Sequence, residues 1–89
     1  MQHLVKREGH KEKFDERKLY ASCYAASLSA NIDHSEAEKI CENICKGINK
    51  WIKNKKMVTS HQLFKEVTKL LRKYNKDAAF MYSTHRDIS

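Results

Sequence analysis

A long amphipathic pattern in the middle of the sequence constrains the fold most strongly. Between residues 37 and 52, apolar side chains recur every three or four positions for more than four helical turns. This spacing predicts one long helix with a single buried face. The chain also contains no proline and only two glycines, so few sites favour turns. The sequence therefore favours long helices with short connections over an all-β architecture.

The start and the interior of this long helix carry further information. Two overlapping capping boxes fit its N-terminus, one beginning at Asp33 and one at Ser35, and the sequence does not distinguish them. Gly47 lies inside the helix, where glycine costs about 1 kcal/mol relative to alanine. Either another helix approaches closely at this position or the glycine is simply tolerated.

Three other helices are predicted around the long one. The first covers about residues 15–30 and has Asp15 as its N-cap. The third begins after a Thr59-Ser60 cap, and Asn75 is expected to end it in the left-handed conformation. The last is expected from about Asp77 to Arg86. All four predicted helices have a periodic apolar face that must be buried against another element.

Short extended segments lie between these helices. Residues 3–14 are predicted to form a β-hairpin closed by Glu8-Gly9, because glycine accepts the positive φ of a two-residue turn. Met57-Val58 is long enough for one more strand beside the hairpin. The predicted fold class is therefore α+β, mostly α: a four-helix bundle covered by a small sheet of a β-hairpin plus one short strand. With 89 residues, the chain is expected to form a single domain over residues 1–89.

The charge of the chain is strongly positive and uneven. The formal net charge is +7, and residues 46–56 contain five lysines without an acidic residue. Such a cluster attracts nucleic acid, nucleotides or an acidic protein. The plainer interpretation is a solvated helix end, where lysines interact favourably with the helix dipole.

The remaining composition argues against several classes of protein. No apolar run has the length of a transmembrane helix and no secretory signal is recognisable, so we expect a cytoplasmic protein without membrane contact. Cys41 and Cys45 lie one turn apart in the apolar stripe, which indicates core packing rather than a zinc site. No activated nucleophile, paired carboxylates or metal-ligand set emerges, so we expect a non-catalytic protein without a metal site.

The predicted hairpin offers a binding site. Lys6, Arg7, Lys11 and Lys13 lie on one short ribbon that leads to the helix N-cap at Asp15. Basic side chains beside a helix N-terminus are suited to a polyphosphate, because charge-assisted hydrogen bonds and the helix dipole both favour anions.

The order of these motifs along the chain resembles the ATP-cone domain. The resemblance runs from about Leu4 to Arg86, and its central pieces are Val5-Lys6-Arg7-Glu8-Gly9, Phe14-Asp15, Lys18-Leu19, Val58-Thr59-Ser60, Leu63, Val67 and Leu71. ATP-cone domains are a few short strands covering a four-helix bundle. They bind ATP or dATP as allosteric ligands in many ribonucleotide reductase large subunits and in a repressor of ribonucleotide reductase genes.

The resemblance implies a nucleotide-binding site made from several parts of the chain. The first part of the hairpin would line one side of the nucleotide site, and two carboxylates would contact the ribose or base. A lysine of the first helix would meet the phosphates, a hydroxyl would lie near the adenine, and a basic residue of the last helix would help with phosphate. The implied hairpin residues are Val5, Lys6 and Arg7, and the two carboxylates are Glu12 and Asp15. The lysine of the first helix is Lys18, and the hydroxyl residue is Ser60 or its neighbour Thr59. The basic residue of the last helix is Arg86.

The function that the resemblance implies is regulatory. The chain is expected to be a stand-alone, non-catalytic ATP- or dATP-binding module that senses adenine nucleotides, with the ligand free or bound to Mg²⁺. Its partner would be a second copy of the chain, a ribonucleotide reductase subunit or the repressor. The alternative is a small basic nucleic-acid-binding or transcription-associated protein that uses Lys46 to Lys56, with Arg72-Lys73 as a further candidate contact.

Overall fold

A computed structural model describes the backbone of residues 3–7 and 9–88, and the side chains of this part as far as Thr84. The element order is β1 (Leu4–Arg7), β2 (His10–Lys13), α1 (Glu16–Ser29), α2 (His34–Ile52), β3 (Met57–Thr59), α3 (Ser60–Tyr74) and α4 (Lys76–Ile88). These are the four helices, the hairpin and the additional strand that the sequence predicts. The fold class is α+β, mostly α.

Local capping sets the starts of the helices. Asp15 accepts a hydrogen bond from the backbone N–H of Arg17, as predicted for the N-cap of α1. Of the two boxes proposed for α2, the structure uses Asp33, whose carboxylate accepts from Glu36 N at 2.8 Å. A complete capping box begins α3: Thr59 Oγ1 accepts from Gln62 N at 3.0 Å, and Thr59 N donates to Gln62 Oε1 at 2.9 Å. Each cap satisfies an amide that the helix itself leaves unpaired.

The left-handed residue near the helix ends is not the one predicted. Asn75 has an extended backbone, with φ −162°, whereas Asn31 has φ +64°. The physical reason is that α4 begins at Lys76, one residue earlier than predicted. Asn75 Oδ1 therefore accepts from Ala78 N at 2.9 Å and serves as an N-cap, which requires an extended conformation.

The three strands form one mixed sheet with the order β2-β1-β3. β1 and β2 are antiparallel, with Arg7 opposite His10, as the predicted hairpin requires. Gly9 has φ +86°, whereas Glu8 lies outside the described residues. β3 is parallel to β1, and Val58 pairs with Val5. Both valines are buried, so this face of the sheet covers the helices.

The helices pack around one main core. Its fully buried side chains include Ile44, Ile48, Val67 and Leu71 from α2 and α3, and a smaller cluster of Val5, Ile52 and Val58 joins the sheet to the end of α2. Polar contacts add to the link between α1 and α2: Tyr24 Oη hydrogen-bonds to His34 Nδ1, and Asn49 Nδ2 donates to Glu16 Oε1 at 2.8 Å. The cluster of Val5, Ile52 and Val58 holds the sheet at one end of the bundle.

The cysteines and the helical glycine behave as the packing argument predicts. Cys23, Cys41 and Cys45 are free thiols in the main core. Burial raises the pKa of all three, to about 12 for Cys41 and about 11 for Cys45. An ideal Cβ placed on Gly47 would lie 3.1 Å from Leu70 Cδ1, so α3 does approach α2 closely here.

Candidate functional site

A cleft of about 220 Å³ lies where the inner face of the sheet meets the helices. Its walls come from five elements of the fold and from the short link before α1. The lining residues are Val5 and Arg7 of β1, Glu12 and Lys13 of β2, Phe14 and Asp15 of the link, Lys18, Leu19 and Ser22 of α1, Ser60 and Leu63 of α3, and Tyr82 of α4.

The register of the hairpin explains why Val5, Arg7 and Glu12 reach the cleft, whereas Lys13, opposite Leu4 at the end of β2, lines the cleft from the other set of strand positions. Side chains of directly opposite residues point to the same face of a sheet, and neighbours along a strand point to opposite faces. Val5 is opposite Glu12, and both line the cleft, as does Arg7 two residues further along β1. Lys6 projects from the other face and is not among the lining residues.

The first turns of α1 supply a second wall. Asp15, Lys18 and Ser22 are spaced by three and four residues, so they lie on one side of the helix and all reach the cleft. Asp15 is held in place by its hydrogen bond from Arg17 N and by Arg17 Nε at 3.6 Å. The Arg17 amide lowers the pKa of the Asp15 carboxyl below its usual value, so Asp15 is ionised at neutral pH.

The helices α3 and α4 close the cleft. Ser60 is the first residue of α3, directly after the Thr59 cap, and it lines the cleft. The Thr59 hydroxyl instead accepts a hydrogen bond from Gln62 N, so Ser60 is the residue of this pair that lines the cleft. Tyr82 is buried, and its ring stacks on Phe64 with centroids 5.7 Å apart. This stacking fixes the position of Tyr82 in the wall.

The cleft is chemically suited to an anionic ligand that has both apolar and hydroxyl groups. Three cationic side chains, two carboxylates and three hydroxyl groups surround an apolar base. The cleft shares five lining residues with a shallower groove of about 600 Å³ along residues 12–18, which also includes Glu16 and Arg17 and so has three cationic and three acidic side chains. A planar or sugar group would fit against the apolar base, and phosphates would extend toward Lys13 and Lys18, which line both the cleft and the groove.

The structure brings together six of the nine predicted nucleotide-binding residues: Val5, Arg7, Glu12, Asp15, Lys18 and Ser60. Lys6 on β1 and Thr59 on β3 lie outside the cleft. The side chain of Arg86 lies outside the described residues, although its backbone continues α4.

Three polar residues of the cleft are not among the nine predicted ones: Lys13, which the sequence placed only on the basic ribbon, Ser22 and Tyr82. Ser22 follows Lys18 by one helical turn, so helical spacing alone was a signal that could have found it. Tyr82 reaches the cleft because α4 packs against α1 and α3, and this contact has no local signature in the sequence.

Comparison with protein families identifies the family of the chain. A family model of the ATP cone domain matches residues 2–89. The chain belongs to the ATP-cone family. ATP-cone domains are non-catalytic regulatory modules that bind ATP or dATP. Comparisons with curated proteins and with solved structures gave no match.

No helix in the described part of the chain is both long enough and apolar enough to cross a membrane. Within residues 3–7 and 9–84, no group of three or more histidine, cysteine or acidic side chains is placed to hold a metal ion.

Proposed function

We propose that the cleft between sheet and helices binds ATP or dATP and that this ligand regulates the association of the chain with a partner. The observation that supports the proposal most directly is the convergence of Arg7, Lys13 and Lys18 on one cleft with an apolar base. ATP carries about four negative charges at neutral pH, so several cations are needed to offset them.

The parts of the cleft suit different parts of the nucleotide. Lys13 and Lys18 line both the cleft and the adjoining groove, and these cations would meet the phosphates. The ionised Asp15 would repel phosphate, so we assign it to the ribose or to a cation. Ser60 and Ser22 lie within the more apolar cleft, where their hydroxyls would contact the base and ribose.

Glu12 and Asp15 also suit Mg²⁺. Protein-bound Mg²⁺ usually takes one or two carboxylates together with phosphate oxygens and water. Both carboxylates line the cleft and the groove beside the cationic residues, and one Asp15 oxygen is already used by the Arg17 amide. These residues would hold the ion of a Mg²⁺–nucleotide complex, in which the ion offsets part of the phosphate charge.

The finer function follows from the family. We propose that the chain senses the adenine nucleotide pool and acts on ribonucleotide reductase or on the regulation of its genes. The partner would be a second copy of the chain, a reductase subunit or a repressor. Regulation of this kind requires that ATP or dATP bind one association state better than another.

The decisive experiment is a calorimetric titration of the purified chain with ATP and dATP, with GTP and CTP as control nucleotides. We expect adenine-selective binding of micromolar affinity or tighter. Lys18→Glu should abolish it, because the change replaces an attractive charge in both the cleft and the groove by a repulsive one. Lys39→Glu is the matched control, since Lys39 is exposed on α2 and does not line the cleft.

The same titration defines the results that contradict the proposal. Equal weak heats for all four nucleotides would mean that the positive surface attracts any anion. Adenine-selective binding that survives Lys18→Glu would mean that the site lies elsewhere in the chain. Circular dichroism of both variants verifies that helicity is retained.

A further inference from the structure

The cationic side chains around the nucleotide cleft follow one another from its apolar base outward. Arg7 lines the cleft but not the adjoining groove, whereas Lys13 and Lys18 line both. Arg17 lines the groove but not the cleft, and it also borders a separate groove between α1 and α2. Arg17 therefore lies at the outer end of this series, beyond the cations that the proposed nucleotide site uses.

Asp15 holds Arg17 at this outer position. The Asp15 carboxylate accepts a hydrogen bond from Arg17 N at 2.9 Å and lies 3.6 Å from Arg17 Nε. This ion pair involves Nε, so it does not engage the two terminal nitrogens of the guanidinium, which form a fork that suits phosphate oxygens. The Arg17 side chain is 94% exposed, so a ligand in the groove can reach these nitrogens.

The charge balance of the groove makes Arg17 important for an anion. The groove has three cationic and three acidic side chains, so its net charge does not attract phosphate, and binding there depends on directed hydrogen bonds. One of the acids is turned aside, since Glu16 Oε1 accepts from Asn49 Nδ2 of α2 at 2.8 Å. Without the charge of Arg17, the acidic side chains would outnumber the cationic ones, and the groove would repel the end of a phosphate chain.

We propose that Arg17 binds the terminal phosphate of the nucleotide and thereby makes the chain selective for ATP over ADP. This inference rests on the proposed function, in which the base and ribose occupy the cleft and the phosphates extend toward the groove. In that orientation the third phosphate lies furthest from the base. Lys13 and Lys18 meet the phosphates that ATP and ADP share, whereas Arg17 meets the phosphate that ADP lacks.

The selectivity changes what the module responds to. Because the Arg17–Asp15 pair is exposed, it contributes little to stability, and the guanidinium can turn toward a phosphate at small cost. ADP occupies the same cleft without gaining this contact, so it competes with ATP but binds more weakly. The occupancy by ATP then depends on the ratio of ATP to ADP rather than on the total amount of adenine nucleotide.

The test is a calorimetric titration of the intact chain with ATP and with ADP at one fixed Mg²⁺ concentration, and the readout is the ratio of the two Kd values. Charge-assisted hydrogen bonds to the terminal phosphate predict that ATP binds about 10-fold more tightly than ADP. Arg17→Gln should weaken ATP binding about 10-fold and ADP binding by less than about twofold, so the two Kd values become about equal.

Two matched variants remove one positive charge elsewhere. Lys18→Gln should weaken ATP and ADP by the same factor and preserve the ratio, because Lys18 lines both the cleft and the groove and meets phosphates that both nucleotides carry. Lys39→Gln should leave both Kd values unchanged, because Lys39 is exposed on α2 and lines neither the cleft nor the groove.

The outcomes separate this inference from the proposed function. If the unmodified chain binds ATP and ADP equally, or if Arg17→Gln weakens both nucleotides by the same factor or neither of them, Arg17 does not read the terminal phosphate. Adenine-selective binding would persist in those cases, so the proposed nucleotide site would stand. If the chain shows no adenine-selective binding at all, the proposed function fails, and the role of Arg17 fails with it.

Discussion

Replacing Gly47 by alanine tests the contact between α2 and α3 quantitatively. In a helix interior, alanine is more favourable than glycine by about 0.8–1.0 kcal/mol. The new Cβ would lie 3.1 Å from Leu70 Cδ1 and 3.9 Å from Leu70 Cδ2, so the leucine side chain must move by a few tenths of an ångström. Leu70 is only half-buried, so it has room to move. We therefore expect the steric cost to offset only about half of the gain.

The expected result is a stabilisation of about 0.5 kcal/mol, or about 2–4 °C in Tm for a domain of this size. Urea unfolding followed by circular dichroism measures the free energy, and a thermal scan gives the Tm. Gly47→Val should instead destabilise by about 1–3 kcal/mol, because it adds two methyl groups beyond the Cβ at a contact that is already close.

A double-mutant cycle shows whether Leu70 is the cause. In a Leu70→Ala background, Gly47→Ala should yield the full gain of about 1 kcal/mol, because the opposing methyl groups are gone. The reasoning is refuted if Gly47→Ala has the same effect in both backgrounds, or if it destabilises the chain by more than about 1 kcal/mol.

Two further perturbations test the interior of the bundle. Ser27 is fully buried, and its Oγ has no hydrogen-bond partner in the described part of the chain. Ser27→Ala should therefore raise the free energy of unfolding by about 1 kcal/mol. A lower free energy for the variant in urea unfolding would reveal a hydrogen bond at this hydroxyl. Burial raises the pKa of the Cys41 and Cys45 thiols to about 12 and about 11, so the folded state retains protons that the unfolded chain loses above about pH 9. The free energy of unfolding should therefore fall as pH rises above that value, and less steeply in Cys45→Ala; an identical pH dependence in this variant would contradict the assignment.

Features set by local sequence were predictable, and features set by distant contacts were not. The caps at Asp15 and Thr59 are recognisable because their hydrogen bonds join residues two or three positions apart. Asn75 was wrongly expected to be left-handed, because its conformation depends on how soon the next helix begins. Asn31 adopts that conformation instead.

The candidate site shows the same division. Lys6 and Arg7 are equivalent in a list of basic residues, but the strand register sends their side chains to opposite faces, and only Arg7 lines the cleft. Ser22 shares a helical face with Lys18 and was accessible to spacing arguments. Tyr82 depends on the packing of α4 against α1 and α3, which no short motif encodes.

The parallel pairing of β1 with β3 has a consequence for the order of folding. The hairpin closes over two residues, but Val5 meets Val58 only after the whole of α1 and α2 has been placed between them. Contacts this distant in the chain form late, because the entropy of closing the loop must be overcome first. Helices α1 and α2 can assemble before this pairing, whereas the hairpin that forms the strand wall of the cleft is fixed against them only when β3 pairs with β1. Amides of β3 should accordingly exchange with solvent through partial opening that leaves the helical core protected.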